Sequence, residues 1–239
     1  MSDYQEAYIL KTLDYQEHSK LVYLYSPQGK FSALARGVKK INSPLSHLVQ
    51  PGALAMFSFS KGKLPTLKEA ENLVYFKAIK SDLIKSSIVG VINDIIYYNI
   101  TDHENHEKLF TFLKKFLKML NLNAHPLELL MVFEMKLLAF LGYFINFNHC
   151  HACSDKDPLT MAVGTGIIAC SKHQTSRYET FDETIYGPLK YYLHCDILDF
   201  QSQNLTVDEI KQLYKIIDEL YETQLSFSSK AKKIVTTLL

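Results

Sequence analysis

The segment LVYLYSPQGKFSALARG, residues 21–37, gives the strongest indication of the fold. It holds two runs rich in strand-forming residues, at 21–25 and 31–35, and the sequence Ser-Pro-Gln-Gly at 26–29 lies between them. Valine, tyrosine and phenylalanine favour extended backbone, whereas proline and glycine favour a reversal of the chain. The segment therefore predicts a β-hairpin.

Similar patterns flank this hairpin on both sides. Residues 7–13 form a strand-like run before it, and residues 53–60 alternate with Phe57 and Phe59 on one face. The sequence Lys61-Gly62-Lys63 is typical of a hairpin tip that leads into residues 64–69. About five short strands with glycine-containing turns are typical of a small barrel such as an OB-fold, and an SH3-like barrel is the alternative.

The hydrophobic period changes to that of helices near residue 81. Apolar residues recur at helical spacing over 83–96 and 105–122, and Pro126 favours the first turn of an apolar third helix over 127–143. Thr206 and Glu209 form a capping-box signature for a later helix. The predicted fold class is α+β, with an N-terminal OB-fold β-barrel at residues 1–80 and an α-helical domain at residues 81–239.

Composition indicates a globular chain that buries a real core. The 239 residues are 47% hydrophobic and 21% charged. The polar start of the sequence lacks the pattern of a secretory signal, so we expect a cytoplasmic protein. The apolar stretch 127–145 contains Glu128, Glu134 and Lys136, each costing roughly 2.5–3.5 kcal/mol at a bilayer centre, so we expect a core helix and no membrane partner.

Four potential metal ligands follow the third helix in the pattern C-x2-C-x16-C-x2-H. They are Cys150, Cys153, Cys170 and His173. Paired ligands two residues apart fit half of a tetrahedral zinc site, because a tight turn aims both side chains at one point. Gly164 and Gly166 precede the second pair, where a sharp turn requires positive φ. The pattern predicts structural zinc in a finger-like insert at residues 146–178.

Other interpretations of these residues stay open. The cysteines are alternatively half-buried thiols or a redox pair, although no βαβ pattern supports redox chemistry. His149 and His151 flank the first pair and could replace a thiolate as ligand. Cys195, which is isolated in a helical stretch, is expected to be a small core residue.

The N-terminal region is basic. No Asp or Glu occurs between His18 and Lys68. The same window contains eight cations: Lys20, Lys30, Arg36, Lys39, Lys40, Lys61, Lys63 and Lys68. A surface without carboxylates favours a polyanion, because lysine and arginine displace counterions from phosphates without nearby repulsion. Tyr23, Tyr25, Phe57 and Phe59 are candidates for stacking on unpaired bases, although half of such residues must fill the barrel.

No catalytic pattern is found. The sequence lacks the Walker A motif, which argues against ATP hydrolysis, and it lacks a H-E-x-x-H motif for a catalytic metal. Four protein ligands would also leave zinc no open position for a reacting water. We therefore predict that the protein is not an enzyme.

Three segments resemble those of the RecO recombination mediators. They are ALARGVKK with the following Ser43 and Leu45 (residues 33–45), LPTLKEAE (residues 64–71) and LSFSSK (residues 225–230). The cysteine insert is similar to that of the family, with Gly164-Thr165-Gly166 in place of a Gly-Gly pair and His173 in place of a fourth cysteine. The resemblance covers nearly the whole chain, with the segments in the family's order.

This resemblance implies a bacterial DNA-repair protein that binds single- and double-stranded DNA and anneals complementary strands. It also implies two protein partners, RecR and the C-terminal tail of single-stranded-DNA-binding protein, and help in loading RecA. By position, Arg36, Lys39 and Lys40 match the basic motif of the family, whereas Lys61 and Lys63 are proposed DNA contacts from their charge alone. Helix 105–122, with Lys114, Lys115 and Lys118, is a candidate for binding the tail.

An adaptor that acts through its helical domain, with an incidental barrel, is the alternative function. A zinc-dependent hydrolase is the third possibility, and it requires an open ligand position. Binding of single-stranded DNA at low and high salt separates the first two functions.

Overall fold

The computed structural model describes residues 4–101, 105–156, 159–174 and 179–237. Strands come first and helices follow, which confirms the predicted α+β class. The chain forms two compact units, one ending at Asn121 and the other beginning at Leu122. The division at residue 80, and the insert at residues 146–178, stay predictions, because compactness alone does not show which segment folds or acts independently.

The first unit begins with a curled antiparallel sheet. Its strands are β1 (Tyr4–Tyr15), β2 (Ser19–Ser26), β3 (Gly29–Ala35), β4 (Leu54–Phe59) and β5 (Leu67–Val74), in the order β3-β2-β1-β4-β5. The two edges of the sheet approach each other, because the Leu34 N–H donates to the Pro65 carbonyl at 2.8 Å and Leu34 forms a parallel bridge with Thr66. A five-stranded, partly open barrel with β3 beside β5 is the arrangement of an OB-fold.

The predicted hairpin is formed by β2 and β3. Their pairing runs from Lys20 opposite Ala35 to Ser26 opposite Gly29, and Gly29 has φ +115°, which favours glycine. Alternate residues of the strands point into the curled sheet. They build its core together with residues of the connecting segments: Ala7, Ile9, Val22, Leu24, Ala33, Ala35, Val38, Val49, Ala55, Phe57 and Leu67.

Three helices complete the first unit: α1 (Lys77–Ser81), α2 (Leu83–Asn99) and α3 (His106–Leu122). They cover outward-facing tyrosines of the sheet. The buried Tyr8 hydroxyl donates to Asn93 Oδ1 in α2 at 2.8 Å, and the Tyr25 ring lies 5.9 Å from that of Phe110 in α3. The outer face of β1 and β2 is therefore buried as well as the inner one.

The second unit is built around α4 (Pro126–Phe140), with α5 (Glu183–His194), α6 (Val207–Leu225) and α7 (Lys230–Thr237). Helix α4 is buried on most sides, as predicted for the third helix, and Glu128 and Glu134 are buried with it. The predicted capping box is confirmed, because Thr206 accepts from the Glu209 N–H and Glu209 accepts from the Thr206 N–H. Within the described ranges, no helix combines the length and the apolarity that crossing a membrane requires.

A small sheet connects α4 to α5. Its strands are β6 (Leu159–Ala162), β7 (Ile167–Cys170) and β8 (Thr180–Asp182), in the order β7-β6-β8. Gly164 and Gly166 in the β6–β7 turn have φ +82° and +68°, which confirms the predicted need for positive φ. The small sheet therefore carries Cys170 at the end of β7, close to the segment that contains Cys150 and Cys153.

Candidate metal centre and nucleic-acid interface

The two predicted pairs of metal ligands meet beside β7. The His151 N–H donates to the Ile168 carbonyl at 2.8 Å, which attaches the first pair to the strand that ends at Cys170. The His173 N–H donates to the Cys170 carbonyl at 2.9 Å, so a tight turn places the second pair on one side. Cys150 and Cys170 are buried, Cys153 is half-buried and His173 is exposed.

The donor atoms of these four residues have the spacing of a tetrahedral site. The atoms all lie within 4.8 Å of one another. The Sγ atoms of Cys153 and Cys170 are 3.7 Å apart, and His173 Nδ1 lies 3.3 Å from Cys170 Sγ and 3.5 Å from Cys150 Sγ. Tetrahedral zinc with ordinary bond lengths separates two sulfurs by about 3.8 Å and sulfur from nitrogen by about 3.6 Å. The group could therefore hold a metal ion.

The neighbouring histidines and the fourth cysteine have other contacts. His149 contacts the Asn146 amide through Nε2 and the Cys150 carbonyl through Nδ1, while His151 Nδ1 contacts the Ile168 carbonyl. The Cys195 thiol donates to the Tyr192 carbonyl at 3.7 Å in a half-buried position. These contacts argue against replacement of a thiolate by either histidine, whereas Cys195, which we expected to be a core residue, is half-buried.

The protein environment favours a thiolate at Cys150. Burial raises the pKa of this thiol, but backbone N–H groups of Cys170, Ala152 and Cys153 lower it by more, so that the pKa lies below its usual range. Metals bind cysteine in the thiolate form, and N–H donors to sulfur keep that form stable when the thiol is buried. Three sulfurs and one imidazole nitrogen would close a four-coordinate shell, which is typical of structural rather than catalytic sites.

The five predicted DNA-binding cations lie on two segments, and backbone hydrogen bonds join each segment to a neighbouring part of the curled sheet. All five are exposed: Arg36, Lys39, Lys40, Lys61 and Lys63. The Lys39 N–H donates to the His18 carbonyl at 3.0 Å, which brings the segment 36–40 to the β1–β2 turn. The Leu34 bond to Pro65 brings the end of β3 to the β4–β5 connection, which carries Lys61 and Lys63. We refer to these five residues as the basic rim.

One member of the basic rim has an acidic partner outside the carboxylate-free window. Lys39 Nζ lies 2.8 Å from Asp14 Oδ2 at the end of β1. The hydrogen bond and charge of Lys39 lower the pKa of Asp14, so the carboxylate stays ionised at neutral pH. The positive charge of Lys39 is therefore partly compensated, in contrast to the expectation of a surface without carboxylates.

Two of the four aromatic residues considered for base stacking are core residues. Tyr25 and Phe57 are 0% exposed, so the expectation that they could stack on bases is wrong. Tyr23 and Phe59 are half-buried, and each meets another ring edge-on: Tyr23 meets Tyr97, and Phe59 meets Phe31. The expectation for helix 105–122, the candidate for binding the tail of single-stranded-DNA-binding protein, is also altered at Lys114. This residue does not project freely outward but pairs with Glu6 of β1 at 2.7 Å.

The sequence interpretation missed a group of residues beside Tyr23. Tyr97 and Tyr98, at the end of α2, together with Lys11 of β1 and Lys30 of β3, contact one another through rings and ammonium groups. A signal was present in the sequence. The apolar stripe of α2 contains Ile88, Val91, Ile92, Ile95 and Ile96, and a pair of adjacent tyrosines directly after it does not continue the helical period.

Comparison with known proteins covers nearly the whole chain. The family model described as Recombination protein O N terminal matches residues 1–76, and that described as Recombination protein O C terminal matches residues 80–233. The sequence is 26% identical to the DNA repair protein RecO of Bacillus subtilis (strain 168), over 96% of this chain and 92% of that protein. It is 25% identical to the DNA repair protein RecO of Clostridium perfringens, over 95% of this chain and 94% of that protein.

A third relative also matches nearly the whole chain. The DNA repair protein RecO of Streptococcus pyogenes serotype M1 is 26% identical, over 97% of this chain and 94% of that protein. The two family models follow each other without overlap and leave only short segments unmatched. The chain therefore belongs to the RecO family of DNA repair proteins.

Proposed function

We propose that this protein binds single- and double-stranded DNA through the basic rim of its curled sheet and anneals complementary strands. The observation that carries the proposal is the location of the five cations on segments held together by backbone hydrogen bonds. Phosphates bind such cations with release of counterions. The repulsion between two strands is then screened, while their bases remain free to pair.

Membership of the family supports the remaining roles. The protein acts with RecR to help load RecA on DNA coated by single-stranded-DNA-binding protein, whose C-terminal tail it binds. Lys115 and Lys118 of α3 stay candidates for this tail, since Lys114 is paired with Glu6. These roles require neither nucleotide hydrolysis nor another catalytic step. They place the protein in the bacterial cytoplasm, in association with the nucleoid.

Substitution of Arg36, Lys39 and Lys40 together by alanine should weaken binding to single-stranded DNA and reduce its dependence on salt. Each phosphate contact contributes about 0.7 to the slope of log affinity against log salt concentration. We therefore expect the slope to fall by about 2 if all three residues contact phosphates. Fluorescence anisotropy of a labelled oligonucleotide at several salt concentrations measures both quantities.

The matched control removes the same charge from helices α6 and α7. Lys211, Lys230 and Lys233 are exposed, and their joint replacement by alanine should leave the slope close to that of the wild type. An equal fall in both variants would show a general charge effect and contradict the assignment of the basic rim. Failure of the wild type to bind either form of DNA would contradict the proposed function and favour an adaptor.

Substitution of Asp14 by asparagine should strengthen DNA binding, because it releases Lys39 from its ion pair. We expect an affinity for single-stranded DNA about two- to fivefold higher, with a slope against salt steeper by less than about 0.7, because Lys39 already contributes part of a phosphate contact in the wild type. Glu17→Gln is the control, since Glu17 lies in the neighbouring turn, is exposed and pairs with His18 rather than with a member of the basic rim. Equal gains in the two variants would assign the effect to net charge rather than to Lys39.

The proposal also assigns structural Zn²⁺ to Cys150, Cys153, Cys170 and His173. The spacing of the donor atoms supports it, and so does the preference of zinc for thiolate and imidazole ligands. The ion would join the β6–β7 hairpin, which buries Met161 and Ile168, to the turn that carries Cys150 and Cys153. Mass spectrometry of the native protein should find one zinc ion per chain. A chain that is folded and free of metal after purification with added zinc would contradict this assignment.

A further inference from the structure

A cleft lies beside β2, β3 and the end of α2. Its volume is about 360 Å³, and the residues that line it come from strands and from the end of α2 and include Leu10, Tyr23, Lys30, Phe31, Ser32 and Tyr97. Its size falls within the range of pockets that bind small organic groups. Among the described residues, none of those that line it is acidic.

Aromatic rings and ammonium groups lie in the walls of the cleft and beside them. The rings of Tyr23 and Tyr97 meet edge-on, with centroids 5.3 Å apart, and Tyr98 continues the series at 4.9 Å from Tyr97. Lys11 Nζ lies 5.1 Å from the centre of the Tyr97 ring. Lys30 Nζ donates to the Tyr97 carbonyl at 2.8 Å and lies 5.8 Å from the centre of the Tyr97 ring.

This combination fits a planar aromatic group joined to an anion. Aromatic rings are attracted to tyrosine rings in stacked or edge-on arrangements. An anion beside the rings would be bound by the ammonium groups of Lys11 and Lys30. An unpaired nucleotide offers both features, a planar base and a phosphate, and no carboxylate in the lining would repel the phosphate.

The location of the cleft connects it with the basic rim. Strand β3 begins beside Lys30, and Arg36 follows its last residue, Ala35. Six residues of extended strand span about 20 Å. A single strand of DNA that lies along β3 would meet the cleft at one end and the basic rim at the other, within the site size of one OB-fold.

We propose that this cleft holds one unpaired base of single-stranded DNA against Tyr23 and Tyr97, with the flanking phosphate on Lys11 and Lys30. The inference rests on the proposed function, because it assigns a base-binding subsite to the same DNA-binding surface. An acidic peptide with an aromatic side chain is the alternative ligand. The alignment of the cleft and the basic rim along one strand favours DNA.

Substitution of Tyr97 by leucine tests the inference. One base–tyrosine contact changes affinity by about 5- to 150-fold, so we expect binding of an oligothymidylate to weaken by at least about fivefold. The slope against salt should stay unchanged, since no phosphate contact is removed. An abasic oligonucleotide of equal length should bind the variant and the wild type equally, and duplex DNA should do the same.

Two further variants control for the fold and for the chemistry of the ring. Tyr97→Phe keeps the ring and should bind like the wild type. Tyr75→Leu is the control, because Tyr75 is an exposed tyrosine that likewise has an ammonium group, that of Lys80, 4.8 Å from its ring centre. Unchanged oligothymidylate affinity in Tyr97→Leu would overturn the inference, and the proposed function would still stand if the basic-rim variant weakens binding.

Crosslinking of the wild-type protein provides a test that does not depend on variants. Irradiation of a bound oligonucleotide that contains 5-iododeoxyuridine joins the base to a stacked aromatic residue. An adduct on Tyr23 or Tyr97 is expected. Adducts confined to other residues would place the base elsewhere and overturn the inference. A loss of acidic-peptide binding in Tyr97→Leu, without a change in oligothymidylate binding, would assign the cleft to a peptide and would also overturn it.

Discussion

Replacement of Cys170 by serine is expected to release the bound metal ion and destabilise the second unit by more than about 4 kcal/mol. Cys170 is buried, and its Sγ lies 3.7 Å from Cys153 Sγ and 3.3 Å from His173 Nδ1. Serine removes one of four ligands and leaves three donors that bind zinc weakly at neutral pH. The hairpin of β6 and β7 then loses the link that joins it to the segment of Cys150.

Metal content and urea unfolding measure the two parts of this prediction. The matched control is Cys195→Ser, which removes a half-buried thiol outside the group. We expect the control to keep one metal ion per chain and to lose about 1 kcal/mol or less. If Cys170→Ser retained a full equivalent of zinc and the stability of the wild type, the ion would have to be bound elsewhere and the proposed site would be wrong.

The same variant separates the roles of the two units. The basic rim and the cleft are both formed by residues of the first unit, which ends at Asn121. Loss of the metal should therefore leave the affinity for single-stranded DNA and its slope against salt close to those of the wild type, at temperatures where the first unit is folded. This expectation follows from a structural rather than a DNA-contacting metal.

Local patterns were sufficient to predict most elements of the fold. The hairpin of β2 and β3 follows from strand-forming runs around Ser-Pro-Gln-Gly, and α6 begins where Thr206 and Glu209 form their capping box. The contact between Leu34 and Thr66, which brings the edges of the sheet together, could not be predicted in the same way. It depends on curvature accumulated over several strands, and no single turn encodes it.

The metal ligands were predictable because two ligands separated by two residues already fit half of a tetrahedral site. Two turns, each with two residues between ligands, supply four donors, and the structure brings them within bonding distance of one point. The choice between Cys150 and the histidines beside it required the structure. His149 and His151 are occupied by the Asn146 side chain and by backbone carbonyls, contacts that the sequence alone does not indicate.

The aromatic and charged residues of the sheet were less predictable. Strand patterns usually distinguish a buried from an exposed face, but β2 is buried on both, because helices cover its outer side. Tyr25 therefore belongs to the core, although its side chain points to the other face of the sheet from that of the inward-facing Leu24. Similarly, Asp14 lies just outside the window without carboxylates, and only the fold brings it to Lys39.

Replacement of Lys232 by methionine is the second change for which we expect a large effect. Lys232 of α7 is buried, and its Nζ lies 2.7 Å from Oε1 of Glu134, a buried carboxylate of α4. It also pairs with Asp218 of α6. Methionine fills a similar volume but leaves Glu134 as an uncompensated buried charge, so we expect a loss of about 3–5 kcal/mol at pH 8.

The pH dependence of this loss identifies its cause. Burial raises the pKa of Glu134 to about 7, although Lys232 lowers it. The stability contributed by protonated Glu134 is therefore fully present below its unfolded pKa, about 4.3, and is lost as the pH rises through about 7. Without Lys232 the pKa rises further, so the loss in Lys232→Met should be clearly smaller at pH 5 than at pH 8.

Urea unfolding at the two pH values, with zinc present, measures this difference. Lys233→Met controls for the substitution at an exposed neighbour and should change stability little. The double variant Glu134→Gln, Lys232→Met should recover much of the loss, because a buried ion pair replaced by neutral groups is often tolerated. An equal loss at pH 5 and pH 8 would instead show that the lysine stem stabilises α7 by packing.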